Sequence, residues 1–127
     1  MDRIKILLVD DDPTFLTTYQ KILAKNELDV IAAYDGEEAI ASALAQKPDV
    51  IILDVDMPKK NGFEVMKALR ADAWGKNVPI IIMTGKEPDD ARLEQINSLG
   101  ATYYFVKGNQ STESFIATIK DLAKKKA

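Results

Sequence analysis

Five aspartates stand where short apolar runs end. Asp10-Asp11-Asp12 follows Ile6-Leu7-Leu8-Val9, and Asp54-Val55-Asp56 follows Val50-Ile51-Ile52-Leu53. Two more runs end in Thr84-Gly85 and Lys107-Gly108. Carboxylates brought together repel and resist ionising together, so such a group calls for a compensating cation. With oxygen ligands only, a hard ion such as Mg²⁺ or Mn²⁺ suits it. Lysine adds fixed positive charge and threonine a hydrogen bond. Together they suit a phosphoryl group carried on a carboxylate, where catalysis is mostly positioning and charge compensation. A single aspartate at a strand end is often no more than the N-cap of the next helix. Asp10 through Asp12, Asp54, Thr84 and Lys107 at the ends of four runs are harder to assign to capping alone.

Composition narrows the chemistry further. The 127 residues contain no Cys and no His. That excludes disulfides, thiolate zinc sites and thiol nucleophiles. It also excludes an imidazole base and the Ser-His-Asp arrangement. The net charge of −3 argues against a domain-wide nucleic-acid footprint. No run approaches the roughly 20 apolar residues of a membrane helix, and the first residues lack a signal-peptide stretch. A cytoplasmic location, with no membrane or direct nucleic-acid partner, is the expectation. At 46% hydrophobic and 29% charged, the chain reads as one ordinary globular domain.

The elements that must position these residues alternate strictly. Continuous apolar runs rich in β-branched residues suit strands buried on both faces. Ile6–Val9, Val50–Leu53 and Pro79–Met83 are clear cases; Val30–Tyr34 and Tyr103–Val106 are weaker ones. Amphipathic stretches follow each. Phe15, Leu16, Tyr19, Ile22 and Leu23 share a helical face, with Pro13 near its first turn. Ala39, Ile40, Ala43 and Leu44 follow Asp35-Gly36; Phe63, Val65, Met66 and Leu69 follow Asn61-Gly62. Leu93, Ile96 and Leu99 follow Pro88, with Gly100 as a C-terminal cap. Phe115, Ile116, Ile119, Leu122 and Ala123 close the chain, with Ser111 or Thr112 as N-cap. Five strand–helix units predict an α/β fold: a five-stranded parallel sheet, order 2-1-3-4-5, flavodoxin-like, with helices on both faces. In such a sheet ligands gather at the carboxyl ends of the strands, where the acidic residues, Thr84 and Lys107 fall. Lys124-Lys125-Lys126 reads as a solvated helix end, and Trp74 as a packing residue.

These residues, in this order and spacing, resemble the receiver domain of two-component response regulators. The carriers are Ile6–Asp12, Ile52-Leu53-Asp54-Val55-Asp56-Met57-Pro58, Gly62-Phe63-Glu64-Val65, Ile82-Met83-Thr84-Gly85 and Phe105-Val106-Lys107. The resemblance extends from about Arg3 to Ala123. It implies a single receiver domain over 1–127, with its core at about 3–123 and no effector domain. It implies that Asp54 accepts a phosphoryl group from a phosphohistidine of a histidine kinase or histidine phosphotransfer protein. Asp11 would bind Mg²⁺ directly, with Asp54 and the backbone carbonyl of Asp56, and Asp10 would act through water or by orienting its neighbour. Lys107 would pair first with Asp54 and then with the phosphoryl oxygens. Thr84 would swing to the phosphoryl group, and Tyr104, three residues before the lysine, would move inward behind it. A downstream protein would then read the face made by the fourth helix, fifth strand and fifth helix. A phosphorylation-linked dimer is compatible with this scheme. The domain would catalyse only its own phosphoryl transfer and slow dephosphorylation.

Two positions depart from the family pattern. Gly108, followed by Asn109-Gln110, replaces the proline that commonly follows the lysine, so a trans peptide, or a mobile loop that places Lys107 less rigidly, is expected there. Asp56 places a carboxylate two residues past the phosphoacceptor, where it is expected to affect phosphoryl lifetime. Three other functions compete. A pseudo-receiver would bind partners without taking phosphate. A haloacid-dehalogenase-type phosphohydrolase also uses Asp-x-Asp, as in Asp54-Val55-Asp56, but after its first strand. An FMN carrier shares the sheet order, but Asp10-Asp11-Asp12 would repel the flavin phosphate.

Overall fold

A computed structural model describes residues 3–57, 61–108 and 111–126. The strands are β1 (Lys5–Val9), β2 (Asp29–Ala33), β3 (Val50–Asp54), β4 (Ile80–Thr84) and β5 (Tyr103–Val106). The helices are α1 (Pro13–Lys25), α2 (Gly36–Gln46), α3 (Gly62–Ala71), α4 (Asp90–Ser98) and α5 (Thr112–Lys126). The five strands form one parallel sheet in the order β2-β1-β3-β4-β5. The predicted fold class and strand order are therefore those observed.

Period-two alternation explains the two-sided burial. Leu7, Val9, Ile51, Leu53, Ile80 and Ile82 face one apolar layer, with Val65, Met66 and Leu69 of α3 and Ile96 of α4. Ile6, Leu8, Val50, Ile52, Ile81 and Met83 face the other, with Leu16 and Leu23 of α1 and Phe115 and Ile119 of α5. Trp74 packs against the first layer, as its reading as a packing residue requires.

Local chemistry sets the boundaries. Asp12, Asp35 and Asp89 cap α1, α2 and α4, and Asn61 with Glu64 forms a capping box on α3. Ser111, rather than Thr112, caps α5: its Oγ accepts the Ser114 N–H at 3.1 Å. Gly100 adopts φ +75° just past α4. Its N–H reaches the Asn97 carbonyl and that of Ala101 reaches Ile96, a Schellman ending. Two predicted strand residues fall outside the ladder. Tyr34 follows β2 half-exposed, its N–H taken by the Glu38 carboxylate at 2.7 Å. Pro79 has no N–H to give, but its carbonyl accepts the Ile51 N–H.

Candidate phosphorylation site

The carboxyl ends of β1 and β3 are adjacent in the sheet, and each closes with the same turn. Asp10 Oδ1 accepts the Asp12 N–H at 2.9 Å. Asp54 Oδ1 accepts the Asp56 N–H, also at 2.9 Å. Each aspartate thereby bends the chain leaving its strand and commits one oxygen to it. The second oxygens face the same cation. Lys107 Nζ lies 2.7 Å from Asp10 Oδ2 and 3.5 Å from Asp54 Oδ2. The lysine reaches this point from the end of β5. The two carboxylates are almost fully buried and Lys107 is partly so.

The three acids of the first cluster have separate tasks. Asp10 is the buried partner of Lys107. Asp12 is an N-cap, its carboxylate accepting the Thr14 N–H at 3.0 Å. Asp11 is exposed but contributes a carboxylate oxygen to a group with Asp10 and Asp54 whose ligand atoms all lie within 4.8 Å of one another. Three hard oxygen ligands at that separation fit a divalent cation. The Asp56 carboxylate stands outside this group. Its Oδ1 pairs instead with Arg92 of α4 at 2.9 Å, at the edge of the cleft beside Thr84.

Electrostatics follows from burial. Burial raises the Asp54 pKa above its ordinary value, the Asp56 N–H opposes that rise, and the Asp10 charge reinforces it. Burial works against the charged form of Lys107, but the hydrogen bond to Asp10 and the charges of Asp54 and Asp10 outweigh it. Its pKa is held above the ordinary lysine value.

Thr84 ends β4 in the buried floor of the site, its hydroxyl donating to the Lys86 carbonyl at 2.7 Å. A cleft of about 310 Å³ opens beside it, lined in part by Asp56, Lys86 and Arg92. The two neighbouring tyrosines diverge, as strand alternation requires. Tyr104 is half-buried against the layer under α3 and α4, while Tyr103 is exposed and stacks on Phe105.

The structure therefore brings together Asp10, Asp11, Asp54 and Lys107, with Thr84 ending the adjacent strand β4. One ranking differs from the sequence expectation: Lys107 sits closer to Asp10 than to Asp54. Both aspartates offer only Oδ2, and the lysine bridges them unequally. The Lys107–Gly108 peptide is trans, as expected, and Gly108 adopts φ +85°. Pro58 and the Asn109-Gln110 pair lie outside the described residues. Sequence reasoning missed Arg92 and Phe15, whose ring lies 4.5 Å from Lys107 Nζ. Both sit on helices far along the chain from their partners, and no local motif marks them.

A doubly wound parallel sheet with an acidic group, a threonine and a lysine at its carboxyl edge makes this an α/β domain with a candidate phosphoryl-accepting site. Comparison with known proteins supplies the family. Residues 6–120 match the response regulator receiver domain. The chain is 42% identical over 103 residues to the alkaline phosphatase synthesis transcriptional regulatory protein PhoP of Bacillus subtilis, covering 81% of this chain and 42% of that regulator. It spans about half or less of the length of the curated relatives it matches first. Among solved structures, chemotaxis protein CheY4 of Vibrio cholerae superposes with a TM-score of 0.87 at 33% identity, over 95% of this chain and 99% of that one. The receiver domain of sensor histidine kinase PA1611 from Pseudomonas aeruginosa also gives a TM-score of 0.87, at 27% identity over 97% and 99% of the two chains. That structure holds a magnesium ion coordinated in the active site cleft. The chain belongs to the response regulator receiver domain family and is a signalling domain of the two-component type. Receiver domains of this family work with histidine kinases. Among the described residues, no helix is long and apolar enough to cross a membrane.

Proposed function

We propose that Asp54 is the phosphoacceptor and that the chain acts as one receiver unit in the cytoplasm. The observation that carries this is the pair of matching turns at Asp10 and Asp54, which present two buried carboxylate oxygens to one lysine. Asp54 Oδ2 attacks the phosphorus of a phosphohistidine on a kinase or histidine phosphotransfer protein. The new P–O bond forms as the P–N bond breaks, and the imidazole leaves on the donor. This chain has no histidine, so it is the accepting half of the exchange.

Asp11, Asp54 and the Asp56 backbone carbonyl would hold Mg²⁺ (or Mn²⁺), with Asp10 acting at one remove. When bound, the ion neutralises the clustered carboxylates and the incoming phosphoryl oxygens. Lys107 stays within reach of Asp54 Oδ2 and transfers its hydrogen bond to a phosphoryl oxygen. Thr84 must give up the Lys86 carbonyl to turn toward the new group. Tyr104 then has room to move behind it. An aspartyl phosphate adds about one unit of charge and several acceptor oxygens, which biases two conformations that already exist. The output is a changed α4–β5–α5 face for a downstream protein or a second receiver.

Incubation with Mg²⁺ and acetyl phosphate tests this reading. The parent chain is expected to gain one phosphoryl group by intact mass, mapped to Asp54, and Asp54→Asn is expected to gain none. Absence of label on the parent would instead identify a binding module that takes no phosphate. Steady turnover of a phosphomonoester would identify a hydrolase.

A further inference from the structure

Lys107 directly follows β5 and reaches the site on a long, flexible stem. Gly108 follows at φ +85°, and a Cβ there would meet nothing within 4 Å. A long flexible stem carrying a point charge has many alternatives in such a setting. Yet the ammonium is placed between two carboxylates. Its third neighbour is the Phe15 ring, on the first turn of α1, with the centroid 4.5 Å from Nζ.

That ring is held from below. Phe15 stacks on Tyr19 one turn along α1, with centroids 4.4 Å apart and planes 27° from parallel. Tyr19 meets Phe115 of α5 edge-on at 5.5 Å. Phe115 is almost completely buried and meets Phe105 of β5 at the same distance. The aromatic series thus runs from the interior under α5 up to the phosphorylation site and ends on the lysine. An aliphatic residue would fill the same helical face, so packing alone does not call for a ring at its end.

We propose that Phe15 is a positioning residue of the phosphorylation site, its ring face confining the Lys107 ammonium over Asp10 and Asp54. This rests on the reading of Asp54 as phosphoacceptor. A π face attracts the cation without fixing the direction of its N–H bonds. An acceptor at the same place would capture one of those bonds. The ring therefore leaves the ammonium free to pivot from Asp54 Oδ2 to a phosphoryl oxygen while keeping it in the site. It also shields one side of the ammonium from water, which strengthens its attraction to both carboxylates.

Two substitutions separate ring from volume. Phe15→Leu keeps the apolar bulk, and Phe15→Tyr keeps the π face. With acetyl phosphate and Mg²⁺, Phe15→Leu is expected to slow labelling of Asp54 about three- to tenfold, from the strength of a partly exposed cation–π contact. Phe15→Tyr is expected to stay within about twofold of the parent. In a Lys107→Ala background the two are expected to be equal, since the ring then has no cation to hold. A second readout does not depend on phosphorylation. In ¹⁵N-labelled protein without Mg²⁺, the Lys107 ammonium is expected to give a protected NMR correlation in the parent and Phe15→Tyr, and to lose it in Phe15→Leu. Equal ammonium protection in all three proteins overturns the proposal, as does a Phe15→Leu deficit that persists undiminished without Lys107. If the parent takes no label at all, the phosphoacceptor reading fails, and ammonium protection alone decides the role of the ring.

Discussion

Asp10 and Asp54 share one turn, yet the acid two residues on differs: Asp12 caps α1, whereas Asp56 pairs with an arginine. The Asp56 carboxylate is drawn toward α4 by Arg92, whose guanidinium also lies over the Phe63 ring at 5.4 Å. The pair is substantially exposed, so it contributes only about 0.2–1 kcal/mol. That is enough to matter for a rate. With Arg92→Gln the Asp56 carboxylate is free to swing back and accept a hydrogen bond from water attacking the aspartyl phosphate. The half-life of phosphorylated Asp54 is expected to shorten about two- to fivefold, the kinetic equivalent of that energy. In an Asp56→Asn background the same Arg92 change is expected to do nothing, and a half-life assay on the four proteins checks both points. At this scale the sequence was uneven as a guide. Asp10, Asp11, Asp54, Thr84 and Lys107 were legible because they end apolar runs. That Asp12 is merely a cap was not legible, since all three acids of the triplet look alike along the chain. Arg92 and Phe15 were invisible for a different reason: each acts through a partner that only the folded topology brings near.

Among the elements, the tightest constraint on the site is the entry of α3. A Cβ on Gly62 would lie 2.6 Å from the Asp54 carbonyl oxygen and 2.8 Å from Val55 Cα. Both are backbone atoms and cannot step aside without moving the strand end that carries Asp54. Gly62→Ala is therefore expected to destabilise by about 1–3 kcal/mol, the usual range for overpacking, although alanine is the better helix former. Thermal melts would show a loss on the order of 4–12 °C, together with slower labelling of Asp54; an unchanged melt would mean that α3 yields instead. The far end of α3 does a second job. Arg70 donates to the carbonyls of Leu99, Gly75, Val78 and Gly100, tying the end of α4 to the loop before β4. Only Ile96 of α4 is buried, so that helix depends on its ends more than on its face. Arg70→Met leaves those carbonyls without their charged donor, and a loss of about 2–3 kcal/mol is expected, read as a lower melting temperature. The presence of α4 was legible from Leu93, Ile96 and Leu99. Its anchoring was not, because an arginine on a neighbouring helix carries no sign of which carbonyls it will meet. The sheet was the most legible part, since runs such as Val50–Leu53 have no polar face and fit only a strand covered on both sides.

For the whole molecule, the clustered acids make stability depend on pH and on Mg²⁺ in a linked way. Without metal, burial holds the Asp54 carboxyl above its ordinary value of 3.8. The native state then keeps a proton that the unfolded chain has already lost, so stability falls as pH rises between the two values. Below 3.8 both states are protonated and Asp54 costs nothing; above its native pKa the cost is complete and constant. Lys107 acts in the same sense at the alkaline end. Its pKa is raised, so its contribution is complete below the ordinary 10.5 and is lost as pH climbs through the native value. Asp54→Asn should therefore match the parent in acid and become progressively more stable toward neutral pH, read as a rising difference in melting temperature. Mg²⁺ should invert that order. An ion that binds only the native carboxylates stabilises by about 2.7 kcal/mol at a hundred times its dissociation constant, roughly 10 °C in a chain of this size. The gain requires an ionised Asp54, so it should fade as pH falls through the native value of that group, and it should be small in Asp11→Asn and Asp54→Asn at any pH. Paired melting curves with EDTA and with saturating Mg²⁺, across pH 4 to 8, check each step. Equal Mg²⁺ stabilisation of the parent and Asp54→Asn would place the ion away from Asp54.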